Sequence, residues 1–157
     1  ANRLVGSEMC IRDSCCIIAD LVEAADKSSS EVLAALLHDA SEAYICDIPR
    51  PIKPYLANYF DMELKIEKVI QQKYNITAKT ELIDYYDYHI CGEEARQLFR
   101  HVPDWVTEFD RLSGVKIKSW TPEQAKKEFL DRFDRLNYHA NIETPEEKEW
   151  LDSLSAS

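Results

Sequence analysis

Glycine is scarce in this chain, at three residues in 157. An all-β protein with many tight turns needs more residues able to adopt positive φ, so helices are favoured. No glycine-rich phosphate loop exists, which disfavours a P-loop enzyme. No apolar run approaches the roughly 18 residues of a membrane span. No secretory signal is visible, because the short apolar run 15–19 ends at Asp20. The cysteines are few and unpaired in pattern: five, with no CxxC spacing. Reduced thiols in a cytoplasmic protein are the expectation. Basic residues are in the minority, 19 Lys and Arg against 29 Asp and Glu, for a formal net charge of −10. Such a surface repels a phosphate backbone, so duplex nucleic acid is not an expected partner, and neither is a membrane. A small phosphorylated substrate stays open, since a bound metal and one or two basic side chains can reverse the local sign.

What is present is helical periodicity. Residues 1–14, ANRLVGSEMCIRDS, show no period and resemble translated adapter sequence of the sort left at the ends of assembled environmental DNA. They are expected to be a non-native or disordered segment ahead of a domain over 15–157. A first helix is predicted over 15–26, with Ile17, Ile18, Leu21, Val22 and Ala25 on one side. Ser28 and Glu31 form a capping-box pattern for a second helix running to about Tyr44, made apolar by Val32, Leu33, Leu36 and Leu37. Pro49, Pro51 and Pro54 mark an ordered loop. A third helix is predicted over 56–73, with Leu64, Ile66, Val69 and Ile70 as core. A fourth is capped by Thr77 or Thr80 and runs to about Arg100. Residues 101–119 read as mixed loop with one short helix. Thr121-Pro122-Glu123 starts a fifth helix that uses Phe129, Phe133 and Leu136, and Thr144-Pro145-Glu146 starts a short last one. The expected fold is all-α, a single helical bundle of about five to seven helices.

His38, Asp39 and Glu42 place three ionisable groups near the end of the apolar second helix. Charges there are costly unless paired or bound to metal. The four-residue spacing of His38 and Glu42 and the three-residue spacing of Asp39 and Glu42 put these side chains on one helix face. Nitrogen and oxygen donors together suit one divalent transition metal: Mn, Co, Fe, Ni or Zn. Glu42 is then placed to move a proton to or from water at that metal. A His-Asp dipeptide alone is weak, since it occurs by chance in many chains.

The longer string is more specific. LLHDASEAYICDIPRPIK, residues 36–53, resembles the HD-domain metal-dependent phosphohydrolases, close to the subgroup of bacterial 5′-deoxynucleotidases and phage deoxynucleoside triphosphohydrolases. In that subgroup a Gly-Asp stands where this chain has Cys46-Asp47. The likeness continues through Asp87, Glu94, Ala95 and Arg96, and through Trp120 and Pro122, covering roughly residues 14–137. It implies an HD-type helical domain in which His38 and Asp39 bind the metal and Asp87 completes the set. Asp84, one turn earlier, competes for that last place. Glu42 and Asp47 would be catalytic, Glu42 in proton transfer and Asp47 in orienting water or the leaving group. Lys53 would touch substrate phosphate, assisted by Arg50. Glu94 reads as a packing residue. The implied substrate is a deoxynucleotide, losing phosphate or triphosphate to metal-activated water, with a second Mg or Mn entering alongside it. The compact proline-rich loop leans toward the triphosphohydrolase. Members often dimerise, so a homo-oligomer is an open expectation.

The pattern breaks at one point. The family has a further His ligand just ahead of a run equivalent to Cys15-Cys16-Ile17-Ile18-Ala19, and that position is Ser14. A serine hydroxyl is a poor substitute for imidazole, so activity as written is expected to be impaired. The alternatives are a non-catalytic nucleotide- or metal-binding protein of the same fold, or a helical interaction protein with no site. Of the other histidines, His89 reads as packed or exposed, and His101 and His139 as helix-end residues. Tyr85, Tyr86 and Tyr88 read as core packing, and Cys46 and Cys91 as small buried residues.

Overall fold

Ser28 caps the second helix as its sequence predicts. Its Oγ accepts from the Glu31 N–H at 3.3 Å, and the Glu31 carboxylate accepts from the Ser28 N–H at 3.3 Å. Thr80 caps a later helix through the Ile83 N–H, and Thr121 exchanges bonds with Gln124 at the start of the last. Each cap satisfies backbone donors that a helix start leaves bare, worth about 1 kcal/mol apiece. The computed structural model describes residues 5–46, 48–49 and 52–142. Its elements are α1 (Val5–Ala24), α2 (Ser29–Leu36), α3 (Glu42–Ile45), α4 (Tyr59–Tyr74), α5 (Glu81–Leu98) and α6 (Pro122–Ile142). Two 3₁₀ turns, Lys53–Tyr55 and Asp104–Glu108, join them. The described residues contain no strand, so the all-α reading holds. None of the described helices is long and apolar enough to cross a membrane.

The core forms where α1 packs on α2, α5 and α6, and α2 packs on α6. α2 is the central element: Val32, Leu33, Ala34, Ala35 and Leu36 are all buried. Ile18 and Val22 of α1, Ile83 and Ile90 of α5 and Leu136 of α6 close around it. A bidentate Arg132–Asp20 pair, both bonds 2.8 Å, ties α6 to α1 at the surface.

Several boundaries differ from the sequence reading. α1 starts at Val5, not at residue 15. The string before the apolar run lacks proline, so nothing stops the nucleated helix extending backward. Helix α2 ends at Leu36, not near Tyr44. There the bonding shifts to tighter pairs, Ala40 N to Leu37 O and Glu42 N to Asp39 O, both 3.0 Å, before α3 begins. Leu64 and Val69 are 43% and 62% exposed, not core; among the expected set Ile70 is buried and Ile66 partly so. Cys46 and Cys91 are exposed, not buried. Tyr86 packs on the core, but Tyr85 and Tyr88 are 41% and 39% exposed. The predicted helix from Thr144 lies outside the described residues.

Candidate metal centre

The break after α2 decides where His38 and Asp39 point. In a continuous helix these neighbours diverge by about 100°. In the tight turn they converge, with Asp39 Oδ2 3.1 Å from His38 Nε2. Asp87 arrives from the middle of α5 with Oδ1 3.4 Å from the same nitrogen. The His38 side chain is buried, and its Nδ1 lies 2.8 Å from the Ala35 carbonyl oxygen. That bond makes Nδ1 the donor to the carbonyl and turns Nε2 toward the two carboxylates. Nε2 is fully buried and makes no hydrogen bond, so neither carboxylate oxygen lies along the ring's N–H direction. Both carboxylates approach this one nitrogen without hydrogen-bonding it, an arrangement that can hold a divalent cation between them. The set of one imidazole nitrogen and two carboxylate oxygens suits a borderline transition metal.

The electrostatics match. Burial works against protonating His38, but Cys15 and the close carboxylates of Asp39 and Asp87 outweigh it and raise its pKa well above the ordinary value. Burial likewise opposes ionising Asp87, yet the nearby His38, with the hydrogen bond and charge of Lys79, holds its carboxyl well below the usual range. The pocket therefore favours positive charge in its midst.

Lys79 is the residue that sequence reasoning missed. Its Nζ donates to Asp87 Oδ2 at 2.9 Å and lies 3.3 Å from Asp84 Oδ1. Nothing in the spacing of a loop lysine signals that role. Its position also separates the two aspartates: Asp87 faces His38, while the Asp84 side chain is 62% exposed and its charge is turned to Lys79.

Glu42 opens α3 rather than continuing the face of His38, and its Oε1 lies 3.9 Å from Lys53 Nζ. Lys53 starts the first 3₁₀ turn, bonds Glu63 at 3.0 Å and sits over the Tyr59 ring. Glu67, one helical turn beyond Glu63, lines a small cavity of about 30 Å³ that also touches His38 and Lys79. Burial, with the charge of Glu63, raises the Glu67 carboxyl. Asp47 and Arg50 lie outside the described residues. Ser14 is half-buried on α1, beside Cys15, whose Sγ is 3.7 Å from His38 Nδ1.

A second missed residue holds α5 in place. Glu93, not Glu94, is the buried acid, at 2% exposure. It accepts from Arg96, Gln97, Arg111 and the Leu112 N–H at 3.0 to 3.2 Å. Arg96 reaches on to the Val106 and Phe109 carbonyls. His89 is half-buried and accepts from the Asp110 N–H at 2.8 Å.

Comparison with known proteins gives two relatives. A 5′-deoxynucleotidase of Enterobacter sp. strain 638 is 41% identical over 133 residues, covering 78% of this chain and 66% of that protein. The uncharacterized protein YfdR of Escherichia coli K12 is 33% identical over 110 residues, covering 66% of this chain and 60% of that protein. The chain thus spans just under two thirds of the length of these curated relatives. No protein-family model matches the chain, and no solved structure matches it. Similarity over most of its own length makes this chain a relative of a 5′-deoxynucleotidase.

Proposed function

We propose that the protein is a metal-dependent phosphohydrolase of deoxynucleotides, of the HD-domain type. The observation that carries this is the buried His38 Nε2, without a hydrogen-bond partner and flanked by Asp39 and Asp87. His38, Asp39 and Asp87 would hold the cation, which supplies Lewis acidity toward a phosphoryl oxygen and lowers the pKa of water. Glu42 would carry the proton between water and the leaving group. Lys53, poised between Glu42 and Glu63, would leave its carboxylate partners for a substrate phosphate, a point charge on a flexible stem suited to that exchange. Asp47 and Arg50, flanking the same loop in sequence, would orient water and assist Lys53. Similarity to a 5′-deoxynucleotidase favours a deoxynucleoside monophosphate over a triphosphate.

The test is a screen of deoxynucleoside mono- and triphosphates with Co, Mn and Mg, following phosphate and triphosphate release. Release from at least one nucleotide, with kcat falling by about 10²–10⁴ in Glu42→Gln while metal binding persists, supports the reading. Absence of release under every metal leaves the non-catalytic binder, which the serine at position 14 favours.

A further inference from the structure

His38, Asp39 and Asp87 give three donors, one short of a tetrahedral set, and Ser14 on the neighbouring α1 offers only a neutral hydroxyl. The next residue carries a stronger donor. Cys15 is buried, 3% exposed, with its Sγ 3.7 Å from His38 Nδ1. Cys15, His38 and Asp39 each offer a donor atom within 4.8 Å of the other two. The imidazole does not need the thiol as a hydrogen-bond partner, because its Nδ1 already meets the Ala35 carbonyl at 2.8 Å. The sulfur therefore stands beside a ring whose other nitrogen is buried and unpartnered. A tetrahedral cation with bonds of about 2.0 Å to nitrogen or oxygen and about 2.3 Å to sulfur spaces its donors roughly 3.3–3.6 Å apart. From a spacing of up to 4.8 Å the three atoms have to close by up to about 1.5 Å, within reach of χ1 adjustments at Cys15 and Asp39.

We propose that Cys15 supplies the α1 donor, making the site a cysteine–histidine–carboxylate centre that selects Zn, Co or Fe over Mg. This rests on the metal-centre reading above. As the sulfur–metal bond forms, the S–H bond breaks and its proton passes to solvent, so the bound donor is the thiolate. A thiolate is softer than the imidazole that the sequence resemblance implies on α1, and it discriminates against hard cations that keep their water. The adjacent Cys16 is not equivalent. It faces the charges of Arg132 and Asp20, and burial is the main cause that pushes its thiol up to about 12.

The experiment is cobalt titration of the full chain, read by absorbance. A thiolate–cobalt charge-transfer band in the near ultraviolet is expected in the wild type. It should vanish in Cys15→Ser, with cobalt affinity down by at least about 100-fold, since second-shell losses alone cost 10–100-fold. It should persist in Cys16→Ser and Cys46→Ser. X-ray absorption of the zinc-loaded wild type should find a sulfur neighbour at about 2.3 Å, a result that needs no variant to fold. Cobalt bound without the band, a band that survives Cys15→Ser, or loss of cobalt in Ser14→Ala but not in Cys15→Ser overturns the Cys15 assignment and leaves the metal centre standing. Failure of the wild type to bind cobalt or zinc at all overturns both.

Discussion

Replacing Glu93 by alanine should loosen the helix that presents Asp87. The carboxylate is 2% exposed and accepts four hydrogen bonds, two of them from arginines. A charge-assisted bond of this kind is worth about 1.5–3 kcal/mol, and breaking a buried pair from one side costs about 3–5 kcal/mol. Two features reduce the loss here. Arg111 is 76% exposed and recovers solvation, and Arg96 keeps the carbonyls of Val106, Phe109 and Asp110. The expected cost is therefore about 3 kcal/mol, or roughly 6–12 °C in melting temperature for a domain of this size. Urea denaturation of the two proteins measures it. Glu93→Gln adds a test of sign. Burial alone would raise the Glu93 carboxyl, but the bonds from Gln97 and Leu112 and the charges of Arg111 and Arg96 hold it below the ordinary glutamate value. A depressed carboxyl contributes stability above its unfolded pKa and loses it as pH falls through the folded one. The advantage of wild type over Glu93→Gln should be full at pH 7 and shrink below about 4.5. A cost under about 1 kcal/mol for the alanine variant, or an advantage of wild type over Glu93→Gln that grows in acid, would refute this reasoning.

Cys46 has φ 67 and ψ 151, a region nearly reserved for glycine, so Cys46→Gly should stabilise the fold by about 1 kcal/mol in thermal melts. Gly92→Ala should destabilise by about 1–3 kcal/mol, because a Cβ there would meet Phe109 Cβ at 2.5 Å; a stabilised variant would show that α5 and the loop shift freely. Arg132→Ala should cost about 1–2 kcal/mol by removing the bidentate link from α6 to Asp20 on α1, read from the urea midpoint. Cobalt at about a hundred times its dissociation constant should raise stability by about 2.7 kcal/mol in wild type and not in His38→Ala, with chelator reversing the gain.

The fold was largely legible in local signals. The capping residues Ser28 and Thr121 and the apolar faces of Ile18, Val22, Leu33 and Leu136 act within a turn or two of themselves, so sequence alone places them, while it left Thr77 and Thr80 as equal candidates for the cap that Thr80 forms. The end of α2 was not legible, because Leu36, Leu37 and Ala40 all suit a helix, and the break shows only in the tighter backbone bonds at Ala40 and Glu42. Leu64 and Val69 were misplaced for the opposite reason: apolar spacing marks a face, but only neighbours decide whether it is covered. In the site, His38 and Asp39 were readable from their string. The separation of Asp87 from Asp84 needed the direction of α5 and the intervening Lys79. Cys15 was passed over because the position of interest in sequence was the one before it. Glu93 was passed over for Glu94, although only the side facing Arg111 and Leu112 buries an acid.

The central claim is that His38, Asp39 and Asp87 grip one divalent cation. Calorimetric titration of the metal-free protein with cobalt or manganese tests it most directly, alongside the alanine variants of these three residues and of Asp84. One equivalent bound by the wild type and by Asp84→Ala, and binding abolished in the other three, is the predicted result. Binding that survives in Asp87→Ala but is lost in Asp84→Ala, or no binding by the wild type, would contradict it.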